Sequence, residues 1–261
     1  MADSTRDVRA QIRGGQWTGP TGGLSEGFVQ TNMVILPKEQ AFDFMVFCQR
    51  NPKPCPLLEV TEPGDPEPKN LAPGADVRTD VPRYRVWRNG NLADEVTDVR
   101  DVWRDDLVTF LLGCSFTFDT ALMNAGIDLP HMRQGCGQNL PMFVTNIQTK
   151  PAGTFHGPLV TSMRAIPREK VVKAVQVTSR FPTMHGTPVH IGDPSKIGVK
   201  DVQKPDYGVP VEVGPDDVTM FWACGVTPQQ VCLASKPPFM ISHAPGHMFI
   251  TDVRDEDMAV L

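Results

Sequence analysis

Four side chains able to move protons or hold charge, Arg180, His185, His190 and Asp193, fall within one short segment running from Thr178 to Pro194. Pro182, Gly186, Pro188, Gly192 and Pro194 interrupt it. They forbid a continuous helix or strand and predict a fixed loop that presents its titratable groups to a ligand. An imidazole titrates near neutral pH and serves as acid or base. His190 is therefore read as the proton-transfer group, Asp193 as its orienting carboxylate and His185 as a second candidate. The competing reading is a buried connection whose imidazoles satisfy backbone carbonyls.

A small acid also needs its negative charge met. Arg78, Arg83 and Arg85 stand close together, and the last two alternate in an extended segment, sharing a face where planar guanidinium groups can hold a carboxylate in a fork. An ordinary ion pair, with Asp80 as one partner, is the alternative. Cys224 closes the apolar run from Val218 and precedes Gly225 and Thr227-Pro-Gln-Gln230, where Thr227 is expected to cap a helix, Pro228 to open it and Gln230 to complete a capping box. Unpaired backbone N–H groups at such a start attract an anion. Cys224 is then a neutral wall of the site, or else a small buried hydrophobe. Gly113-Cys114-Ser115 reads as a break between helical pieces, the first beginning near Asp105 and Asp106; there Cys114 and Ser115 face the ligand, or Ser115 simply caps a helix. His243 completes the substrate-facing set with Arg180. The arginine segment and the histidine loop are expected to converge on one pocket.

Other chemistries fit less well. His243 and His247 enclose Ala244-Pro-Gly246, which breaks any helix that would put both rings on one face, and no Glu stands as the base of a zinc-protease motif. The cysteines lack CxxC spacing. Neither a metal nor an organic cofactor is expected. Gly19-Pro-Thr-Gly-Gly23 lacks the Lys-Ser/Thr ending of a phosphate loop, Gly113-Cys-Ser-Phe-Thr117 departs from the nucleophile elbow, and no nicotinamide or flavin fingerprint occurs.

The elements that must position these groups alternate. A helix from Asp3 to Arg13 is stopped by Gly14-Gly15, and an apolar run from Met33 to Leu36 leads into a helix opened by Pro37, with Ala41, Phe44, Met45 and Cys48 inward. Leu140 to Gln148 and Leu159 to Met163 read as strands, and Pro167 to Ser179 as a helix with Val171, Val172, Val175 and Thr178 inward. Glu62 to Pro73 reads as a long surface excursion, and no internal repeat is evident. The expectation is an α/β fold with a mixed sheet: one family-level domain of 261 residues, built as two closely packed α/β subdomains with the pocket between them. A net charge of −5, with 25 basic and 30 acidic residues interspersed, argues against nucleic-acid or membrane partners; self-association is left open. The first fifteen residues carry no signal-like apolar core, the apolar stretch from Leu107 to Phe118 is far short of the ~20 residues a membrane span needs, and six cysteines without a signal read as reduced thiols. A soluble, cytoplasmic protein is expected.

Several quotable segments carry a resemblance: Phe221-Trp-Ala-Cys-Gly-Val-Thr-Pro-Gln-Gln230, Gly113-Cys-Ser115, Arg50-Asn-Pro-Lys-Pro-Cys-Pro-Leu-Leu58, Glu62-Pro-Gly-Asp65, Arg78-Thr-Asp-Val-Pro-Arg83, His190-Ile-Gly-Asp-Pro194 and Ile241-Ser-His-Ala-Pro-Gly246. The chain resembles the D-glutamate cyclase family of hydro-lyases from about Gly19 to Asp252. The resemblance implies removal of water from a small acid and brings no catalytic residues with it. Joined to the residue reading, it predicts a hydro-lyase acting by acid–base chemistry on a small amino or hydroxy dicarboxylate. The alternatives are a non-catalytic binding protein for such an acid and a hydrolase of a cyclic amide such as 5-oxoproline.

Overall fold

The computed structural model describes residues 4–133 and 139–260. Strands and helices combine as expected, and every pairing among the described strands is antiparallel rather than mixed. One sheet runs in the order β2 (Leu57–Val60), β5 (Leu107–Leu112), β1 (Phe28–Pro37), β10 (Phe239–His243), β3 (Tyr84–Arg88), β4 (Asn91–Val96), with β11 (Phe249–Arg254) paired to the first part of β1. The other runs β6 (Met142–Gln148), β7 (Pro158–Pro167), β9 (Asp217–Ala223), β8 (His190–Ile191). Around them lie α1 (Thr5–Arg13), α2 (Lys38–Arg50), α3 (Phe116–Asn124), the short α4 (Pro130–Arg133), α5 (Val171–Ser179) and α6 (Thr227–Ser235). Among the described residues no helix is long and apolar enough to cross a membrane.

The two sheets are repeats of one unit. β1 and β7 are both ten residues long, both buried everywhere but at their ends, and both end in Pro before a helix. The β1–β5 ladder pairs Asn32 with Leu112, Ile35 with Thr109 and Pro37 with Leu107; the β7–β9 ladder pairs Ser162 with Trp222, Ala165 with Thr219 and Pro167 with Asp217. Aligned this way, Thr31-x-Met33-x-x-x-Pro37-x-Glu39 meets Thr161-x-Met163-x-x-x-Pro167-x-Glu169, and Val108-Thr109…Cys114-x-x-Thr117 meets Val218-Thr219…Cys224-x-x-Thr227. The third matched strand is exchanged. β6 of the first half pairs with β7 of the second (Phe143 opposite Thr161), while β11 of the second half pairs with β1 of the first (Phe249 opposite Thr31). Even side-chain bonds recur: Thr145 Oγ1 donates to the Leu159 carbonyl and Thr251 Oγ1 to that of Val29, both at 2.8 Å. Reciprocal exchange is the arrangement expected of two copies related by a two-fold axis.

Each half then covers its sheet differently. In the first, Phe44, Phe47 and Cys48 of α2 pack with Phe110 and Phe155 on one face, and the long β2–β3 connection supplies Leu71, Ala72, Ala75, Val77 and Val81 to the other. That connection is more than the surface excursion expected of it. In the second half, Phe118 and Leu122 of α3 and Ala174 of α5 pack on Trp222, Met220 and Ile166. Other expectations shift. The segment after Asp105 and Asp106 is strand β5, not helix, because its two flanking strands, β1 and β2, bury all six residues. Met45 and Val172 face outward, at 42% and 69% exposure.

Candidate active site

A cavity opens where the two halves meet. It is lined by repeat-equivalent pairs, Asn32 with Ser162, Cys114 with Cys224 and Met142 with Met248, and by Ser115 and His243, which have no such partner in it. Close approach of backbone builds its walls: a Cβ on Gly225 would run into the Asn32 side chain, and one on Gly246 into Asn139. The space measures about 20 Å³, on the scale of one water. A larger ligand enters only if side chains or lining segments move.

One side of the cavity is backed by charge. Arg164 of β7, where the first half has Val34, is wholly buried between the rings of Phe118 and Trp222, 4.8 and 5.2 Å from their centroids. Its Nε donates to Asp119 Oδ1 at 2.7 Å, and Asp119 Oδ2 meets His131 Nε2 at 3.0 Å. The remaining guanidinium nitrogens reach the two serines of the cavity wall, Ser162 Oγ at 3.3 Å and Ser115 Oγ at 3.1 Å. Each hydroxyl accepts from a cation behind it. Each is thereby left to donate its own proton forward, which suits an oxyanion.

The other side is neutral. On this side β1 changes neighbour from β11 at Thr31 to β10 at Val34, and the His243 ring fills the gap at Met33. His243 Nδ1 lies 3.1 Å from the Met33 N–H and 3.2 Å from the Met33 carbonyl. The tautomer decides which bond forms. Nε2 is buried with no partner. Burial pushes the imidazole down to about 4, the Met33 backbone opposing, so at neutral pH the ring is uncharged. Gln229 Nε2 holds the His243 carbonyl at 3.0 Å while its Oε1 accepts from Arg85. Both cavity thiols are neutral too: burial pushes Cys114 up to about 12 and Cys224 up to about 11, outweighing the backbone N–H groups beside them.

Of the residues singled out in the sequence, Cys114, Ser115, Cys224 and His243 meet here. Thr227 stands just behind. It is the first residue of α6 rather than its cap, and its Oγ1 donates to the Cys224 carbonyl at 2.7 Å and accepts from the Val160 N–H at 3.0 Å. The others lie elsewhere. Arg78 pairs with Asp76, Arg83 and Arg85 both pair with Glu95, and Asp80 is taken by Arg13. The arginine segment therefore lies at β3–β4, in a different sheet from the histidine loop. His190 sits in edge strand β8 with Nε2 2.7 Å from the Asp193 carbonyl, while the Asp193 carboxylate caps the next turn at Ser195. His185 is buried at φ 73° with Nδ1 on the Lys53 carbonyl, and burial lowers it to about 4. Arg180 reaches the Val260 carbonyl. Backbone carbonyls hold both imidazoles, as the alternative reading of that loop has it, although of the two only His185 is buried. Reading the sequence missed Arg164, Asp119, Ser162, Asn32 and His131. An arginine inside the apolar run from Leu159 to Ile166 is the signal that was there to find, since a charge so placed must be paired.

The profile of the D-glutamate cyclase family matches residues 108–252, which span α3, β7, Arg164 and both cavity cysteines. The chain belongs to the D-glutamate cyclase family. It is 58% identical to "Putative hydro-lyase GK2103" of Geobacillus kaustophilus over 99% of this chain and 97% of that one. It is 57% identical to a protein of the same description from Bordetella petrii, covering 97% and 96% of the two chains, and 56% identical to one from Stutzerimonas stutzeri, covering 97% and 95%. These relatives place the protein among lyases of the hydro-lyase type. A nitrogen repressor-like protein, MJ0159 of Methanococcus jannaschii, is similar at a TM-score of 0.39 and 11% identity over 92% of each chain, too little to bear on fold or site.

Proposed function

We propose that the cavity between the halves is the active site and that it removes water from a small amino or hydroxy dicarboxylate, D-glutamate among the acids to be tried. The observation that carries this reading is the pairing of an unpartnered, buried His243 Nε2 with two serine hydroxyls backed by a buried arginine. A carboxylate sits on Ser115 and Ser162, and Arg164 behind them stabilises the negative charge that grows there as the neighbouring carbon loses its proton. His243, with Nδ1–H turned to the Met33 carbonyl, takes that proton at Nε2. In a hydroxy acid the electron pair forms the new double bond, the carbon–oxygen bond breaks, and the imidazolium returns the proton to the departing hydroxyl, which leaves as water. In D-glutamate, which has no hydroxyl, the same ring takes a proton from the ammonium, the freed amine attacks the distal carboxyl carbon, and one carboxyl oxygen leaves as water with that proton and a second one from the nitrogen. A ring lowered to about 4 is a weak base in the empty site. A bound dianion raises it toward neutrality by favouring the imidazolium.

The test is turnover. Four- and five-carbon amino and hydroxy dicarboxylates are screened for water loss by the unaltered protein, and the best is taken to variants. His243→Gln is expected to lower kcat by ~100-fold or more with KM nearly unchanged. Ser162→Ala is expected to raise KM by ~10-fold, the scale of one charge-assisted hydrogen bond. The acid limb of kcat should lie at higher pH than that of kcat/KM, because the first reports His243 with the dianion bound. Turnover retained by His243→Gln, or none of the screened acids turned over by the unaltered protein, overturns the reading.

A further inference from the structure

A second, larger cavity of about 120 Å³ lies on the other side of Phe116, enclosed by the loop from Gly22 to Gly27, the start of β1, Thr120 of α3, His131 and Asp255. Three of its lining residues keep a buried oxygen without a partner: Ser25 Oγ, Gln30 Oε1 and Asp255 Oδ1. Gln30 is only 4% exposed, and its orientation is fixed, since Nε2 donates to the carbonyls of Thr21 at 3.0 Å and Leu24 at 2.8 Å. The amide therefore offers the cavity an acceptor only. Asp255 is held at the wall by its own N–H on the Gly27 carbonyl, 3.0 Å away. No described cation answers its charge: Arg164 is committed to Asp119, and Arg254 lies over the Phe28 ring at 4.2 Å. Burial accordingly pushes the Asp255 carboxyl up to about 7, Asp119 adding to the effect and only the Thr117 hydroxyl opposing it.

Native proteins rarely leave three buried acceptors open around one space. A carboxylate, an amide oxygen and a hydroxyl together complement a group that carries positive charge and several N–H donors. We infer that this cavity binds the protonated primary amine of a small molecule, with Asp255 supplying the charge and Gln30 and Ser25 the further acceptors. A bare inorganic ion would leave most of the 120 Å³ unfilled, whereas an ammonium group with a short carbon tail fills it. The site is distinct from the cavity of His243 and does not depend on the reaction proposed there.

The full-length protein at pH 8 is titrated calorimetrically with ethylammonium, tetramethylammonium and potassium chlorides. Ethylammonium is expected to bind saturably, and tetramethylammonium, which has the charge without N–H donors, at least tenfold more weakly. Asp255→Asn, which keeps the shape, should weaken ethylammonium binding tenfold or more without lowering Tm in its absence. Ser25→Ala, which leaves the Gln30 anchor intact, should weaken it severalfold. Absence of saturable ethylammonium binding, unchanged binding in Asp255→Asn, or potassium binding as tightly as ethylammonium would each overturn the inference.

Discussion

Arg164 and the two cavity thiols show how burial sorts charge at the scale of single residues. Asp119, two serines and two aromatic faces take the place of water around the guanidinium. Cys114 and Cys224 have no such support, and stay protonated although helix starts lie beside them. Alkylation tests this. Iodoacetamide at pH 8 is expected to leave both thiols unmodified in the native protein over a time that labels them fully in urea, and Cys224→Ser should keep most of the activity of the unaltered protein. A covalent adduct with substrate on either cysteine would show that one of them acts as the nucleophile. Of this site, the residues flanking glycine breaks were legible in the sequence. Arg164 was legible only as a charge in an apolar run; that Asp119 is its partner shows only in the folded chain.

Elements tell a related story through Thr117 and Thr227, which occupy the same place in the two halves. Both stand in the first turn of a helix that follows a strand, and both have N–H groups on the carbonyl of the cysteine three residues before, at 3.3 and 3.0 Å. Their hydroxyls differ. Thr227 Oγ1 ties strand β7 to α6 by accepting from the Val160 N–H, whereas Thr117 Oγ1 is buried with no backbone partner and has only the Asp255 carboxyl nearby. Thr227→Ala would strand a buried backbone donor and is expected to cost ~1–3 kcal/mol of stability. Thr117→Ala removes a hydroxyl that satisfies no backbone group and should cost less than ~1 kcal/mol. Urea unfolding of the two variants decides it; equal losses would mean that the repeated position works the same way in both halves. Element boundaries were legible where a proline or a glycine pair marks them, as at Pro37 and Gly14. The apolar run from Leu107 to Leu112 carries no period that separates strand from helix, and there only the flanking strands choose.

At the scale of the whole molecule, the duplication escaped the sequence because its matches are scattered threonines, methionines, prolines and cysteines, separated by inserts of unequal length. Identical ladders and exchanged strands reveal it, and they put the cavity where copies of one surface face each other, now unequal by Arg164 on one side and His243 on the other. That inequality leaves a signature in the pH dependence of folding. His185 and His243, both lowered to about 4, stay neutral in the folded chain while the unfolded chain protonates them below ~6.5. The unfolded state then binds more protons, so each makes stability fall as pH falls from ~6.5 to ~4. Asp255, raised to about 7, works in the opposite sense: the folded chain holds its proton where the unfolded chain, titrating near 3.8, does not, so its contribution weakens stability as pH rises toward 7. His247 is also lowered, by burial, and adds to the histidine side. Between pH 4.5 and 6 the balance favours the histidines by somewhat under one proton before His247 is added, a slope of ~1 kcal/mol per pH unit. Asp255→Asn removes the opposing proton and is expected to steepen the slope by about one proton, while His243→Gln should flatten it by about one. Denaturation midpoints measured at half-unit steps across this range give both slopes directly; a slope unchanged by either substitution would mean that these groups titrate alike in the folded and unfolded chains, and that the cavities admit water freely.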